Sequence, residues 1–587
     1  MKIETLRHSF SHILAAAIQQ LYPEAKFGIG PVIENGFYYD LELPHSLTPQ
    51  DLPKIEKRMK RIISQNLPFE KEEMTAEAAL KLFKKLNQPY KVELIKDLVK
   101  EEKASKVTVY KTGDFIDLCR GPHVRSTKEA KPEAFKLTHI SGAYWRGDEN
   151  QPMLQRIYGT AFENKAELDK YLSQQEEAAK RDHRRLGKEL DLFSIDNYVG
   201  PGLVLWHPKL STTREEIELY WRKEHRRRGY EYVYTPHIGL SQLWETSGHL
   251  DFFKDGMYPP MDMGTKDKKE KAHYYVKPMN CPFHVRIYKS RPRSYRELPL
   301  RWCELGTVYR YEESGTLHGM LRVRGLTQDD AHIICREDQF AKEIEEVVDF
   351  ALSINKAFGF KDLKAYLSVR DPKDKDKYIG QEKIWNLAEK TLTESLKKKK
   401  LDFQKDVGGA KFYGPSIDLK AVDCMGREWQ GTTIQLDMNL PSKFNMTYVG
   451  QDGKEHTPIM LHRTLLGTME RFIGTLLEHY AGALPTWISP VQVSLIPVSQ
   501  KFNKYAEKIA KVLREQDIRI EVKDEDMTLG KKIRESETHK NPYMLILGAQ
   551  EKEKDIVSVR ARSKGDIGQM KLDQFVEKIK KEIEDKK

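Results

Sequence analysis

Four stretches of this chain hold side chains able to do chemistry. "KPMNCPFHV", residues 277–285, sets Cys281 and His284 three apart beside a proline, with no second cysteine close by. Cys281 is a buried apolar thiol, a nucleophile, or one ligand of a metal whose other ligands lie far along the chain. Free cysteine is among the most buried residue types, which favours the first. In "VYRYEESGTLHGMLRVRGLTQDDAHIIC", 308–335, two strands flank a long loop. Alternate strand residues share a face, so Arg310 goes with Glu312, and Arg322, Arg324, Leu326, Gln328, Asp330 and His332 go together. Guanidinium forks match phosphate oxygens bidentately, although a salt-bridged, solvated sheet surface gives the same pattern. "LHRTLLGTMERF", 461–472, predicts a buried strand to Leu466, a turn at Gly467 and a helix capped by Thr468. Arg471 in its first turn adds a full charge where a helix already attracts phosphate. His8 and His12, with Cys119 and His123 of "DLCRGPH", form the fourth set.

The elements that must position these groups follow from periodicity. Phe10, Ile13, Leu14, Ala17, Ile18 and Leu21 make one helical stripe, which puts His8 and His12 on the opposite face, away from the core. Strands are expected over 27–43, around "ENG", and in "TVYKTGDFIDLC". Residues 166–190, highly charged and free of proline, read as one linker helix. "GPGLVLWHP", 200–208, opens a new domain of antiparallel hairpins and helices running to about 484. The lysine run 397–400 is a solvated helix end. "PTWISPVQVSLIPV", 485–498, crosses into a βα pattern that closes on an amphipathic helix carrying Leu572, Phe575, Val576, Ile579 and Ile583.

The totals bound the class. At about 150 residues per domain, 587 residues predict roughly three or four domains. Aromatic content of 10% and hydrophobic content of 39% suffice for packed cores, and 32% charged residues predict solubility. A net charge of +11 favours a polyanionic partner such as nucleic acid, though dispersed lysines give the same sum. Five scattered cysteines make no disulfide framework and suit a reducing compartment. No apolar run approaches a membrane span, and "MKIETLRHSF" lacks the apolar core of a secretory signal. A cytoplasmic location is expected.

"GPGLVLWHP…YTP", then "VYRYEESGTLHGMLRVRGLTQDDAH", then "LHRTLLGTMERF" resemble, in order, the three signature motifs of class II aminoacyl-tRNA synthetases. "KPMNCP", "RVRGLTQDDAH" and "FYGPSIDL…W" narrow the resemblance to the threonyl-tRNA synthetase family, over nearly the whole chain. It implies an α+β multidomain protein: an N-terminal α+β editing domain over 1–160, a linker helix over 161–190, a catalytic domain over 191–484 and a C-terminal α/β anticodon-binding domain over 485–587. The catalytic core implied is an antiparallel sheet flanked by helices, in a homodimer joined through the first motif, which includes Pro236. The substrates implied are L-threonine, ATP with Mg2+, and tRNA(Thr).

The resemblance also implies site roles. Cys281, His332 and His462 would hold one Zn2+; a thiolate and two imidazoles suit zinc and leave a position open. His284 is not needed as a ligand. Threonine differs from valine by a hydroxyl in place of a methyl, which an apolar pocket separates only roughly a hundredfold. Zinc binding both the amino group and the hydroxyl separates them strongly. Arg310 and Arg471 would clamp ATP phosphates, and Glu312 the adenine amino group, with Arg322, Gln430 and Thr468 completing the nucleotide site. Gln328, Asp330, Tyr413 and Gln435 would line the threonine pocket. Serine lacks only a methyl, worth about 1–3 kcal/mol, so it leaks through. His8, His12, Lys91, Asp117, Cys119 and His123 resemble the editing pocket that hydrolyses seryl-tRNA. Their Cys/His set also suits a second metal, whereas the resemblance implies hydrolysis by water. Arg534, Glu551 and Arg560 match anticodon contacts.

Several positions depart from the family pattern. The chain begins directly at the editing region, without the usual ubiquitin-like domain. Phe283 replaces a glycine, and Leu326 an aromatic that commonly stacks on adenine. Ser416 replaces a lysine near the active centre, and Asp526 an asparagine that contacts the anticodon. Two rival readings are a non-catalytic tRNA-binding paralogue and a stand-alone deacylase.

Overall fold

The computed structural model describes residues 2–263, 272–374 and 377–587. The chain divides into two compact units, Met1–Glu177 and Ala178–Lys587.

In the first unit, helix Ile3–Leu21 packs on helix Leu52–Ser64 and on strand Gly36–Glu42. That strand lies in an antiparallel sheet with Lys26–Phe27, Val32–Ile33, Met153–Ala161 and Phe135–Tyr144. Phe10, Ile13, Leu14 and Ile18 fill the core with Phe37, Tyr39 and Ile157, as the stripe predicts. The opposite face does not meet solvent. Strands Lys106–Thr112 and Phe115–Leu118, from a second antiparallel sheet begun by Glu70–Thr75, cover it. His12 is therefore 2% exposed and His8 half-buried, which corrects the expectation that both stand clear of the core. Periodicity marks the apolar stripe but carries no information about what covers the other face.

The expected single linker helix is also corrected. Helix Lys165–Arg181 stops at Asp182, and a second helix, His183–Glu189, starts there. The Asp182 carboxylate accepts the Arg184 N–H at 2.8 Å, an N-cap that satisfies a backbone donor the continuing helix would have used.

The second unit is built on an eight-stranded sheet. Its spatial order is Glu231–Tyr232, Leu300–Tyr309, Gly325–Cys335, Ile459–Thr464, Glu428–Asp437, Ser416–Val422, Leu363–Val369 and Phe403–Val407. The six central strands run antiparallel, and the pair at each edge is parallel. Helices Pro208–Arg227, Phe340–Ala357 and Met469–His479 supply core side chains such as Ile217, Trp221, Val348 and Leu476. Beneath the sheet, Arg463 is buried against Asp329 at 3.1 Å. Asp329 also accepts Trp221 Nε1–H and the N–H groups of Leu465 and Leu466, each at 2.7 Å. Every oxygen is used, which is what makes a buried ion pair tolerable.

After Pro485 the chain forms a five-stranded sheet, in order Ile520–Val522, Val493–Pro497, Tyr543–Leu547, Ile556–Ala561 and Gly565–Lys571. The first three strands are parallel and the last two antiparallel. Helices Asn503–Glu515 and Leu572–Glu584 close its core through Ile509, Leu513, Phe575 and Ile579. Among the described residues no helix is long and apolar enough to cross a membrane.

Candidate active site

Strand register assembles the first cluster. His332 stands opposite His462, His462 opposite Gln435, and Gln435 opposite Ser416. Residues directly opposite share a sheet face, so these side chains form a row across four strands. Helix Cys281–Tyr288 lays Cys281 against that row. Cys281 Sγ is 3.3 Å from His462 Nδ1, which is 3.1 Å from His332 Nε2. The three ligand atoms lie within 4.8 Å of one another. Each ring is anchored by its other nitrogen: His462 Nε2 lies 2.7 Å from Asp437 Oδ2, and His332 Nδ1 2.8 Å from His284 Nδ1. Anchored imidazoles with lone pairs facing a thiol fit a divalent, zinc-type ion. Burial pushes the Cys281 thiol up, and the neighbouring His462 only partly offsets it. A cation at this point favours the thiolate.

The row borders a cavity of about 360 Å³. Arg310, Glu312, Arg322, Gln328, Asp330, Tyr413, Gln430, Gln435, Thr468 and Arg471 all line it, with Cys281 and His462. His332 lies just beneath, fully buried. Arg310 and Arg471 reach only carbonyls, those of Pro278 (3.4 Å) and Leu321 (3.0 Å). Neither forms an ion pair with a described residue. Desolvation lowers both guanidinium pKa values, and the positive Arg322 adds to the effect at Arg471. Two half-buried, unpaired cations facing one cavity are costly until an anion fills it. Glu312 is held by Arg322 at 2.8 Å, and Thr468 caps the helix at Arg471 N–H. Gln430 donates to Asp418 (2.5 Å), and Tyr413 OH donates to Gln435 (3.4 Å). Asn280 Nδ2–H donates to Asp330 at 3.0 Å.

Arg324 differs from expectation. The strand begins only at Gly325, so Arg324 leaves the alternating row. It donates to the Glu312 carbonyl at 2.9 Å and lies over the Tyr311 ring. Leu326 lines the cavity, packed on Val308 and Val323. Phe283 packs edge-on against Trp244. Ser416 is buried on the row, while Lys411, a few residues earlier, lines the cavity. Sequence reading passed over His249, which touches Met279 Sδ at 3.3 Å and whose burial lowers its pKa to about 4. It also passed over Thr235, which gives no signal, and Asp437 and Glu304, for which a carboxylate in an apolar strand run was the only one.

The first unit holds the second cluster. Cys119 Sγ lies 3.3 Å from both His8 Nε2 and His123 Nε2. His8 Nδ1 faces the Pro122 carbonyl at 3.2 Å, His123 Nδ1 faces Ser9 Oγ at 3.3 Å, and His12 Nε2 lies 3.4 Å from Asp117. Asp117 pairs with buried Lys91 and accepts Tyr39 OH at 2.5 Å. Gly121 has φ +71, and a Cβ there would meet the Tyr110 hydroxyl at 2.3 Å, so glycine lets this loop pass close to strand Lys106–Thr112. Burial lowers the pKa of all three histidines and pushes the Cys119 thiol up to about 12. At neutral pH the cluster is three neutral imidazoles and a neutral thiol. The four ligand atoms are also within 4.8 Å of one another.

In the C-terminal sheet region, Arg534 is exposed on helix Leu529–Thr538, and Arg560 lies 3.9 Å from Glu537 on the same helix. Glu551 is buried, accepting from Gly548 N–H (2.9 Å), Ser558 Oγ (2.6 Å) and Gln569 (3.2 Å).

An antiparallel sheet with arginines over a cavity, and a helix N-terminus closing it, is the core of a class II synthetase. Residues 264–480 match the tRNA synthetase class II core domain (G, H, P, S and T), and 492–582 match the anticodon binding domain. Residues 107–158 match the threonyl and alanyl tRNA synthetase second additional domain. The threonine–tRNA ligase of Sulfurihydrogenibium sp. (strain YO3AOP1) is 51% identical over 100% of this chain and 89% of its own length. That of Aquifex aeolicus (strain VF5) is 50% identical over 100% and 90%. A threonyl-tRNA synthetase RNA-binding domain from Cryptosporidium parvum Iowa II superposes with TM-score 0.64 at 35% identity, covering 68% of this chain and 98% of that one. The chain belongs to the threonine–tRNA ligase family.

Proposed function

We propose that the chain joins L-threonine to tRNA(Thr) through threonyl-adenylate, at the expense of ATP, and hydrolyses seryl-tRNA(Thr) made in error. The observation that carries this reading is the pairing, in one cavity, of two unneutralised guanidiniums with a thiol and two imidazoles. The first pair calls for phosphate, and the second set for an ion that can recognise an amino-alcohol.

Arg310 sits against the α-phosphate and Arg471, with Thr468, against the γ-phosphate. Glu312 accepts from the adenine amino group, and Arg322 and Gln430 complete the nucleotide contacts. Mg2+ enters with ATP as part of the substrate. Gln328, Asp330, Tyr413 and Gln435 hold threonine. The threonine carboxylate attacks the α-phosphorus in line, the bond to the bridging oxygen breaks, and pyrophosphate leaves. Arg310 takes up the charge that grows on the phosphoryl oxygens, a preorganised electrostatic effect. The terminal adenosine hydroxyl of tRNA then attacks the carbonyl, and AMP leaves. Bound zinc supplies Lewis-acid recognition of the amino and hydroxyl groups. Cys281, His332 and His462 hold it.

For editing, the proton of the water attacking the seryl ester goes to His8, whose pKa burial lowers less than those of His12 and His123, which orient the water as neutral rings. Cys119, protonated, is not poised as a nucleophile. Lys91 and Asp117 hold the pocket's polar floor. Anticodon contact falls to Arg534 and Arg560, with Glu551 setting the loop beside them.

We assign editing to 1–160, the link to 161–190, catalysis to 191–484 and anticodon binding to 485–587. A homodimer through the first motif is supported by exposed Leu219, Tyr234 and Ile238 around Pro236, an apolar set that a self-complementary contact buries. The expected location is the cytoplasm.

Threonine-dependent ATP–pyrophosphate exchange tests the reading. Exchange with threonine, and none with valine, is expected. No exchange in zinc-loaded protein would favour a non-catalytic paralogue, and seryl-tRNA hydrolysis without charging a stand-alone deacylase.

A further inference from the structure

Behind the metal candidate lies a buried polar chain that no role above uses. His284 Nδ1 is 2.8 Å from His332 Nδ1, and His284 Nε2 is 3.1 Å from Glu304 Oε1. Thr235 donates twice to Glu304, from Oγ1 (2.7 Å) and from its N–H (3.1 Å). Lys277 Nζ donates to Thr235 Oγ1 at 2.6 Å and lies 3.9 Å from Glu304. His284 and His332 are fully buried, Glu304 is 4% exposed and Lys277 1%. No solvent is at hand to replace these bonds.

Proton order along the chain is fixed by its far end. Glu304, held by Thr235 and Lys277, is an acceptor. The His284 proton must then sit on Nε2, which leaves Nδ1 bare. A bare Nδ1 at 2.8 Å requires the His332 proton to sit on its own Nδ1. The lone pair of His332 Nε2 is then free, on the side of Cys281 and His462.

We propose that His284 and Glu304 are positioning residues that lock His332 in the tautomer and ring orientation in which it binds the zinc ion. The proposal rests on the zinc reading of Cys281, His332 and His462. It gives a purpose to the histidine of "CPFH", which is one shell too far out to be a ligand. Thr235, which holds Glu304, precedes Pro236, so the ligand is tethered to the first motif.

The test is the zinc affinity of the full-length chain, measured by competition with a chromophoric chelator, with thermal melting as a check of folding. His284→Leu removes both bonds, and zinc affinity is expected to fall about 10–100-fold. His284→Gln keeps one acceptor and one donor, and should recover most of it. Glu304→Gln, of equal volume, should weaken zinc by about tenfold with little change in melting. If His284→Leu does not fold, the two glutamine variants still decide. Wild-type affinity in Glu304→Gln, or equal loss in folded His284→Leu and His284→Gln, would overturn the proposal. A wild-type chain that binds no zinc, or a Cys281→Ser variant that binds it normally, would overturn the zinc reading and the proposal with it.

Discussion

His332 and His462, 130 residues apart in sequence, face each other directly across neighbouring antiparallel strands, with Nε2 and Nδ1 3.1 Å apart. Their meeting is a matter of register. A slip of one residue would turn one imidazole to the helix-covered side of the sheet, where Asp329 and Arg463 pair. The candidate metal cluster thus depends on the same hydrogen-bond ladder that holds the core of the sheet.

The two unpaired arginines give a first prediction. Arg310→Ala should lower ATP–pyrophosphate exchange by at least about 100-fold, the usual cost of losing a charge-stabilising donor. Zinc content should stay unchanged, because Arg310 bonds only to the Pro278 carbonyl. Loss of zinc together with exchange would mean that the arginine is structural.

Lys411 gives a second. It lines the cavity and has no ion-pair partner among the described residues, while Ser416 nearby carries no charge. Lys411→Ala should raise the KM for ATP several-fold in the exchange assay, more at low salt than at high. Adding Ser416→Lys to that variant should restore part of the loss. No change in KM with Lys411→Ala would remove Lys411 from the nucleotide's surroundings.

Much of this architecture is legible in the sequence, and the gaps have physical causes. The strand–turn–helix of "LHRTLLGTMERF" forms as read, because its cap and apolar run are local. The burial of His12 is not local: strands Lys106–Thr112 and Phe115–Leu118 cover it from far along the chain. The helix break at Asp182 depends on a cap that competes with an otherwise uninterrupted helical pattern. Glu304 reads as one more strand carboxylate until the helix carrying His284 is laid over it. Glu551 matches an anticodon contact by resemblance, yet its carboxylate is taken up by Gly548 N–H, Ser558 and Gln569, which only the folded C-terminal sheet brings to it.

At the cluster proposed for editing, the raised thiol of Cys119 predicts chemistry by water. Cys119→Ala should slow seryl-tRNA hydrolysis while leaving threonine-dependent exchange unchanged, and quenching wild-type turnover should yield no seryl-enzyme ester. A trapped thioester on Cys119 would make it a nucleophile.

The same cluster predicts how stability responds to acid. Burial holds His12 and His123 below their unfolded value of about 6.5. The unfolded chain therefore binds protons that the folded one refuses, so stability is full above about pH 7 and falls as pH drops below about 6.5. Each histidine contributes a slope of about 1.4 kcal/mol per pH unit. Melting of wild type and His123→Asn between pH 7.5 and 5 measures this. The variant should show a shallower fall, and an identical fall would contradict the assignment.

The most direct test of the whole account is metal analysis of the purified chain beside Cys281→Ser. One zinc per chain is predicted for wild type and little or none for the variant, with valine then a better competitor of threonine. Zinc retained in full by Cys281→Ser would contradict the account at its centre.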